Sequence, residues 1–192
     1  MTGNERPPKD LRLDRLIGVT FDKLDNYDPI KPTRWLFVDT IGQQLFLVRE
    51  STILAGWPVS TAEVGLDNRE NSGGTPPGVH RVARKIGAQA PEGTVFESRK
   101  PIGQRWSPSW NDDAVLKRRD LILSRILILD GLEPGVNLGE GIDSRKRYIY
   151  VHGTNHEDLI GQPVSGGCVR MLNQNIIDLF DQVEEGDLLV IV

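Results

Sequence analysis

The stretch Arg147–Met171, RYIYVHGTNHEDLIGQPVSGGCVRM, constrains this chain more than any other. It opens with Tyr148-Ile149-Tyr150-Val151, aromatic and β-branched residues that fit a pleated, half-buried surface, and the strand they predict ends at His152-Gly153. Gly161 and Pro163 break the loop that follows. The chain then reaches Ser165-Gly166-Gly167-Cys168, where two glycines let the backbone turn sharply and pass close to a ligand. After Cys168 the pattern turns helical. Asn173 is a good N-cap, and Ile176, Ile177, Phe180 and Val183 recur at helical spacing.

Cys168 is the only cysteine, and His152 and His156 are two of the three histidines. A thiolate is the reactive form of cysteine, and a nearby histidine favours it. A histidine at a strand end and a thiol in a glycine-rich loop can face each other across a small sheet. Cys168 is then a nucleophile and His152 its base, with the Gly167 and Cys168 N–H groups lining an oxyanion hole. The competing reading is a buried, inert thiol. The Ser-Gly-Gly flank weighs against it, because core strands rarely spend two glycines in one place. Ser165 lacks the Gly-x-Ser-x-Gly elbow of a serine hydrolase and is read as a brace. His152 and His156 stand four apart, but Gly153 and the β-type residues before it argue against a helix that would aim both at one metal. No metal and no cofactor are expected.

The rest of the chain reads as mostly β. Trp35–Asp39, Gln44–Val48 and Ile53–Ser60 form a meander, Val79–Ala83 and Leu121–Asp130 are further strands, and Leu188–Val192 is a buried closing strand. His80 is taken as a partly exposed strand residue. Asn71–Gly78 is loop chemistry without the Gly-Lys-Ser/Thr of a phosphate loop. Residues 91–120 read as a long loop, in which Trp106 and Trp110 either stack on a ligand or form a small satellite core. Leu116–Arg119 is a solvated charged face. Gly131–Gly141 is turn-rich, and Asn137 and Glu140 are candidates to approach the site.

Residues 1–33 form an N-terminal extension and 34–192 the catalytic domain. Pro7-Pro8 predicts an unfolded start, and Leu11, Leu13, Leu16, Ile17 and Phe21 give a short helix or an arm covering a sheet edge. A net charge of −4 argues against a nucleic-acid partner. No apolar run is long enough to cross a bilayer, and the N-terminal stretch lacks the apolar core of a signal peptide.

Taken together, His152-Gly153-Thr154, the gap, and Ser165-Gly166-Gly167-Cys168-Val169-Arg170 resemble the signature of the YkuD-type L,D-transpeptidases. Thr75-Pro76-Pro77-Gly78 matches that family's Thr-Pro-x-Gly turn, and the resemblance spans about Trp35 to Val192. One position departs: the family's histidine before Gly-Cys is Gly166 here. The resemblance implies a β-rich sandwich or barrel-like fold with one helix after the catalytic loop. It implies an enzyme that acts on peptidoglycan stem peptides in cell-wall biogenesis. Cys168 would be acylated at the diaminopimelate–D-alanine bond, and the acyl group passed to an amine, as in a 3→3 cross-link. Gly153, Ser165, Gly166 and Gly167 would support the site, and Arg170 and Thr154 would bind substrate. The alternatives are hydrolysis by the same site, or a non-catalytic peptidoglycan-binding module on the same fold. The cell envelope is the implied location, with the export route and the oligomeric state left open.

Overall fold

The computed structural model describes residues 11–27, 33–112 and 120–192. The Pro7-Pro8 start and the Leu116–Arg119 charged run lie outside them. Among the described residues are two α-helices, α1 (Leu11–Lys23) and α2 (Asn173–Gln182). Ten strands join them: β1 (Arg34–Asp39), β2 (Gln44–Arg49), β3 (Thr52–Ser60), β4 (Gly78–Ile86), β5 (Thr94–Glu97), β6 (Lys100–Arg105), β7 (Ile122–Gly131), β8 (Tyr150–Gly153), β9 (Val169–Met171) and β10 (Leu188–Ile191). The sheet runs β4-β10-β1-β2-β3-β9-β8-β7, and pairing of β4 with β7 closes it into a barrel. The β5–β6 hairpin hangs from β7. Closure removes most free edges, which are otherwise templates for aggregation.

Strand β1 shows why its sequence is a continuous apolar run. Leu36 and Val38 point into the barrel with Leu45, Leu127 and Val151, where Ile176, Leu179 and Phe180 of α2 join them. Trp35 and Phe37 point outward, where Ile17 and Leu24 cover them. Both faces are buried, so no polar alternation survives. Strand β7 is built the same way: Leu127 and Leu129 face the inner core, while Ile126 and Ile128 pack outside with Phe96 and Tyr150.

The N-terminal apolar residues form the short helix, one of the two alternatives for them; this helix, α1, lies on the outer face of β1 and β10 rather than along a sheet edge. Three other expectations need correction. Residues 91–120 hold the β5–β6 hairpin, hidden in the sequence because its turn, Ser98-Arg99, lacks glycine and asparagine and its second strand carries Pro101 and Gly103. A short strand, β9, separates Cys168 from α2. His80 is fully buried. Its Nε2 lies 2.9 Å from Ser144 Oγ and its Nδ1 3.0 Å from the Gly78 carbonyl, and burial pushes the imidazole down to about 4.

Trp106 and Trp110 pack on Val95, Leu121 and Leu123 as a satellite core. Asn137 is buried and spent on structure: its amide donates to the carbonyls of Pro77 and Val79 and accepts from the Glu133 N–H. Glu140 is exposed. No described helix is long and apolar enough to cross a membrane.

Helix α1 buries Ile17 completely against β1. Ile17→Ala leaves a cavity there and is expected to lower stability by about 3 kcal/mol. Urea unfolding followed by tryptophan fluorescence measures it, and a loss below about 1 kcal/mol would show that α1 is not docked as described.

Candidate active site

Strands β8 and β9 run parallel, with Val151 opposite Val169, His152 opposite Arg170 and Gly153 opposite Met171. Val151, Val169 and Met171 belong to the inner core. Side chains alternate along a strand, so Tyr150, His152, Cys168 and Arg170 share the outer face. Arg170 stands opposite His152, and Cys168, the residue just before β9, lies two positions from Arg170 along the chain.

His152 is buried, and its Nδ1 lies 2.7 Å from the carbonyl oxygen of Gly153. A carbonyl can only accept, so Nδ1 carries the proton and Nε2 keeps its lone pair. Burial lowers the imidazole pKa, with Asp120 pulling it up and Arg170 pushing it down. Cys168 is half-buried, its Sγ 3.5 Å from the Tyr148 carbonyl oxygen. Burial pushes its thiol up to about 11. Both shifts disfavour the charged forms, so burial works against the thiolate–imidazolium pair the sequence invites.

The loop that carries Cys168 is held from several sides. Ser165 Oγ donates to the Cys168 carbonyl at 2.6 Å and accepts from the Gly167 N–H at 3.2 Å. Thr75 Oγ1 donates to the Gly167 carbonyl at 3.0 Å and accepts from the Ala62 N–H at 2.9 Å. Arg147 ties down the neighbouring loop through the carbonyls of Asp67 and Gly74. Gly167 sits at φ +124°, and a Cβ there would press on the Gly74 carbonyl at 3.1 Å. Gly166 differs: a Cβ there meets nothing within 4 Å.

The end of β8 is fixed by α2. The Asn173 side chain accepts from Ser124 Oγ at 2.6 Å and donates to the Thr154 carbonyl and to Glu157 Oε1, each at 2.9 Å. Asn173 is thus the first helical residue and not the N-cap. Glu157 acts as cap from another loop, accepting the Asn173 N–H at 2.7 Å, where a carboxylate also suits the helix dipole. This contact requires Gly153, since a Cβ there would collide with Asn173 Oδ1 and stand 2.8 Å from the Leu123 carbonyl.

The two residues expected to bind substrate are differently engaged. Thr154 is fully buried, and its Oγ1 accepts the His156 N–H at 3.1 Å. Arg170 is buried and pairs with Asp120 at 2.5 Å. Sequence reasoning missed Asn173's inward role, Glu157, Ser124 and Asp120. Only Thr75 had a local signal, as part of the Thr-Pro-Pro-Gly turn. Among the described residues no three His, Cys, Asp or Glu side chains gather as a metal site.

The profile of the YkuD L,D-transpeptidase catalytic domain matches residues 33–192, and the chain belongs to that family. The Bacillus subtilis (strain 168) protein named "Putative L,D-transpeptidase YqjB" is 44% identical over 48 residues, 24% of this chain and 26% of its own. Among solved structures, LdtMt1 in complex with imipenem is 18% identical with a TM-score of 0.48, over 83% of this chain and 59% of its own. An L,D-transpeptidase from Mycobacterium smegmatis is 16% identical with a TM-score of 0.48, over 83% and 58%. The chain thus spans about a quarter of the curated relative's length and under two thirds of each structure's.

Two outcomes follow from this geometry. Gly153→Ala is expected to cost about 2 kcal/mol through overpacking, while Gly166→Ala should stay within about 0.5 kcal/mol; paired thermal melts decide it. Alkylation of Cys168 by iodoacetamide at pH 7 should run roughly two orders of magnitude slower than that of a solvent cysteine, whose pKa is about 8.5, because so little thiolate is present. The rate should climb about tenfold per pH unit up to about pH 10. A plateau near neutrality would mean that a thiolate–imidazolium pair is already formed.

Proposed function

We propose that this chain is a cysteine acyltransferase acting on peptidoglycan stem peptides. The observation that carries the proposal is the bond from His152 Nδ1 to the Gly153 carbonyl, which leaves Nε2 as a proton acceptor on the face that carries Cys168. As Sγ attacks the amide carbonyl, Nε2 takes the thiol proton, and the carbonyl π electrons move onto oxygen. Gly167's N–H is already given to Ser165, so the Cys168 N–H is the proposed oxyanion donor. One good donor of this kind contributes roughly 3 kcal/mol to the transition state. Collapse breaks the C–N bond, the imidazolium protonates the leaving amine, and a thioester remains. His152 then takes a proton from the incoming amine, which attacks the thioester and releases the thiol. General-base assistance fits a resting thiol better than a preformed ion pair does, because the charges arise only while substrate excludes water.

Family membership supports the substrate: a stem tetrapeptide donor cut at its diaminopimelate–D-alanine bond, with a diaminopimelate amine as acceptor. Such a reaction places the chain at the cell envelope.

Carbapenems test the reading, because their strained amide acylates a nucleophile that is correctly placed. Intact-mass spectrometry should show one adduct on the unmodified chain and none on Cys168→Ala. His152→Gln should slow acylation by about 10²–10⁴-fold. An unmodified chain after prolonged incubation would sink the proposal.

A further inference from the structure

Among the described residues Arg34, Arg145 and Arg170 each meet an aspartate. Arg99 does not. It stands at the tip of the β5–β6 hairpin, and its Nε donates to Tyr150 Oη at 2.8 Å. Its guanidinium lies 5.1 Å from the centre of the Tyr148 ring and 5.7 Å from that of Tyr150. Among the described residues no carboxylate pairs with it and its two terminal nitrogens have no hydrogen-bond partner. The side chain is half-buried, so its charge is screened less than that of a free surface cation.

The backbone that presents it is strained. Ser98 and Arg99 have φ of +48° and +65°, a turn that asparagine and glycine adopt most readily. Tyr148, beneath the guanidinium, has φ +58°. Strain of this kind persists where surrounding contacts over-determine it, and it collects at ligand clamps. Here it converges beside the nucleophile. The Tyr148 carbonyl is the group 3.5 Å from Cys168 Sγ, and Tyr150 packs in one apolar cluster with Cys168 while holding Arg99 through its hydroxyl.

We propose that Arg99 anchors a carboxylate of the acyl donor, one aromatic ring away from the carbonyl that Cys168 attacks. The inference rests on the acyl-transfer reading above. The two terminal nitrogens of a guanidinium form a planar fork that matches a carboxylate, and stacking on tyrosine faces keeps that fork oriented. The two arginines whose charge reaches Cys168 are already engaged, Arg170 by Asp120 and Arg147 by the carbonyls of Asp67 and Gly74.

The test is calorimetric binding of a synthetic stem tetrapeptide to the full chain carrying Cys168→Ala, with and without Arg99→Gln or Arg99→Lys. Three peptides are compared: both the diaminopimelate side-chain and the terminal carboxylates free, the first amidated, and the second amidated. Amidation of one of the two should weaken binding about tenfold, and Arg99→Gln should erase that difference. Arg99→Lys should keep part of it. Retention of the full preference by Arg99→Gln overturns the proposal. So does an equal loss for all three peptides together with a lowered unfolding temperature, which would make Arg99 a brace for the hairpin. Absence of any peptide binding also overturns it. The carbapenem adduct on the unmodified chain then shows whether the acyl-transfer reading falls as well.

Discussion

The buried amide of Asn173 holds the site together. Buried polar groups must be hydrogen-bonded, and each bond made in a low-dielectric interior fixes its partners firmly. Asn173 meets Ser124 of β7, the carbonyl of Thr154 just beyond β8, and Glu157 of the following loop. Two segments distant in sequence, around Ser124 and at 154–157, are thereby brought to the start of one helix. The helix can come so close only because residue 153 has no Cβ. The Gly153 carbonyl, whose direction follows from the same packing, is the acceptor that orients His152. A helix-capping problem and an imidazole tautomer are therefore solved by the same few atoms.

Strain follows the same geography. Ser124 sits at φ +64° inside β7, where the register with β8 slips between Leu123 and Ile126. That irregularity aims its hydroxyl at Asn173 and also lets it accept the Gly93 N–H at 2.9 Å. A regular strand would send the side chain of residue 124 along the plain alternation instead. With Ser98, Arg99 and Tyr148, it makes four non-glycine residues in left-handed conformations on the elements that frame Cys168. The inner barrel core, filled by aliphatic side chains and α2, supplies the rigidity against which such strain can be held.

Much of the barrel was legible because its signals are local. The β1–β2–β3 meander, the closing strand and the helix after the cysteine all carry period or turn residues that short windows detect. The strand ending at His152-Gly153 was legible for the same reason. The β5–β6 hairpin was not, because Ser98-Arg99 adopts a turn its residue types disfavour and Pro101 and Gly103 disguise the strand. Strand β9 is three residues long, and Val169 and Met171 read as easily as the start of a helix. Asn173 has N-cap chemistry in the sequence, but Glu157, sixteen residues away, took that role and turned Asn173 inward. His80 gave no sign of burial, since its partner Ser144 lies 64 residues on. In the site, the types and order of Cys168, His152 and Ser165 could be read from the chain. Their protonation could not, because it depends on how much water the fold removes.

That desolvation bears directly on the proposed chemistry. A thiolate exposed on a surface reacts with any oxidant or electrophile that reaches it. Burial that raises Cys168 to about 11 favours the thiol, and on the proposed reading reactivity is generated when a carbonyl and Nε2 are both in place. The orientation of the imidazole then matters more than its resting charge. A small rotation of His152 would move Nε2 off the Sγ–H direction without changing any pKa, and misplacement on the order of 1 Å can cost about 10²-fold in rate. On the proposed reading, the knot of Gly153, Asn173 and Glu157, none of which touches the reacting bond, sets how well the thiol is deprotonated. Selectivity against adventitious electrophiles and dependence on the start of α2 thus have one physical origin.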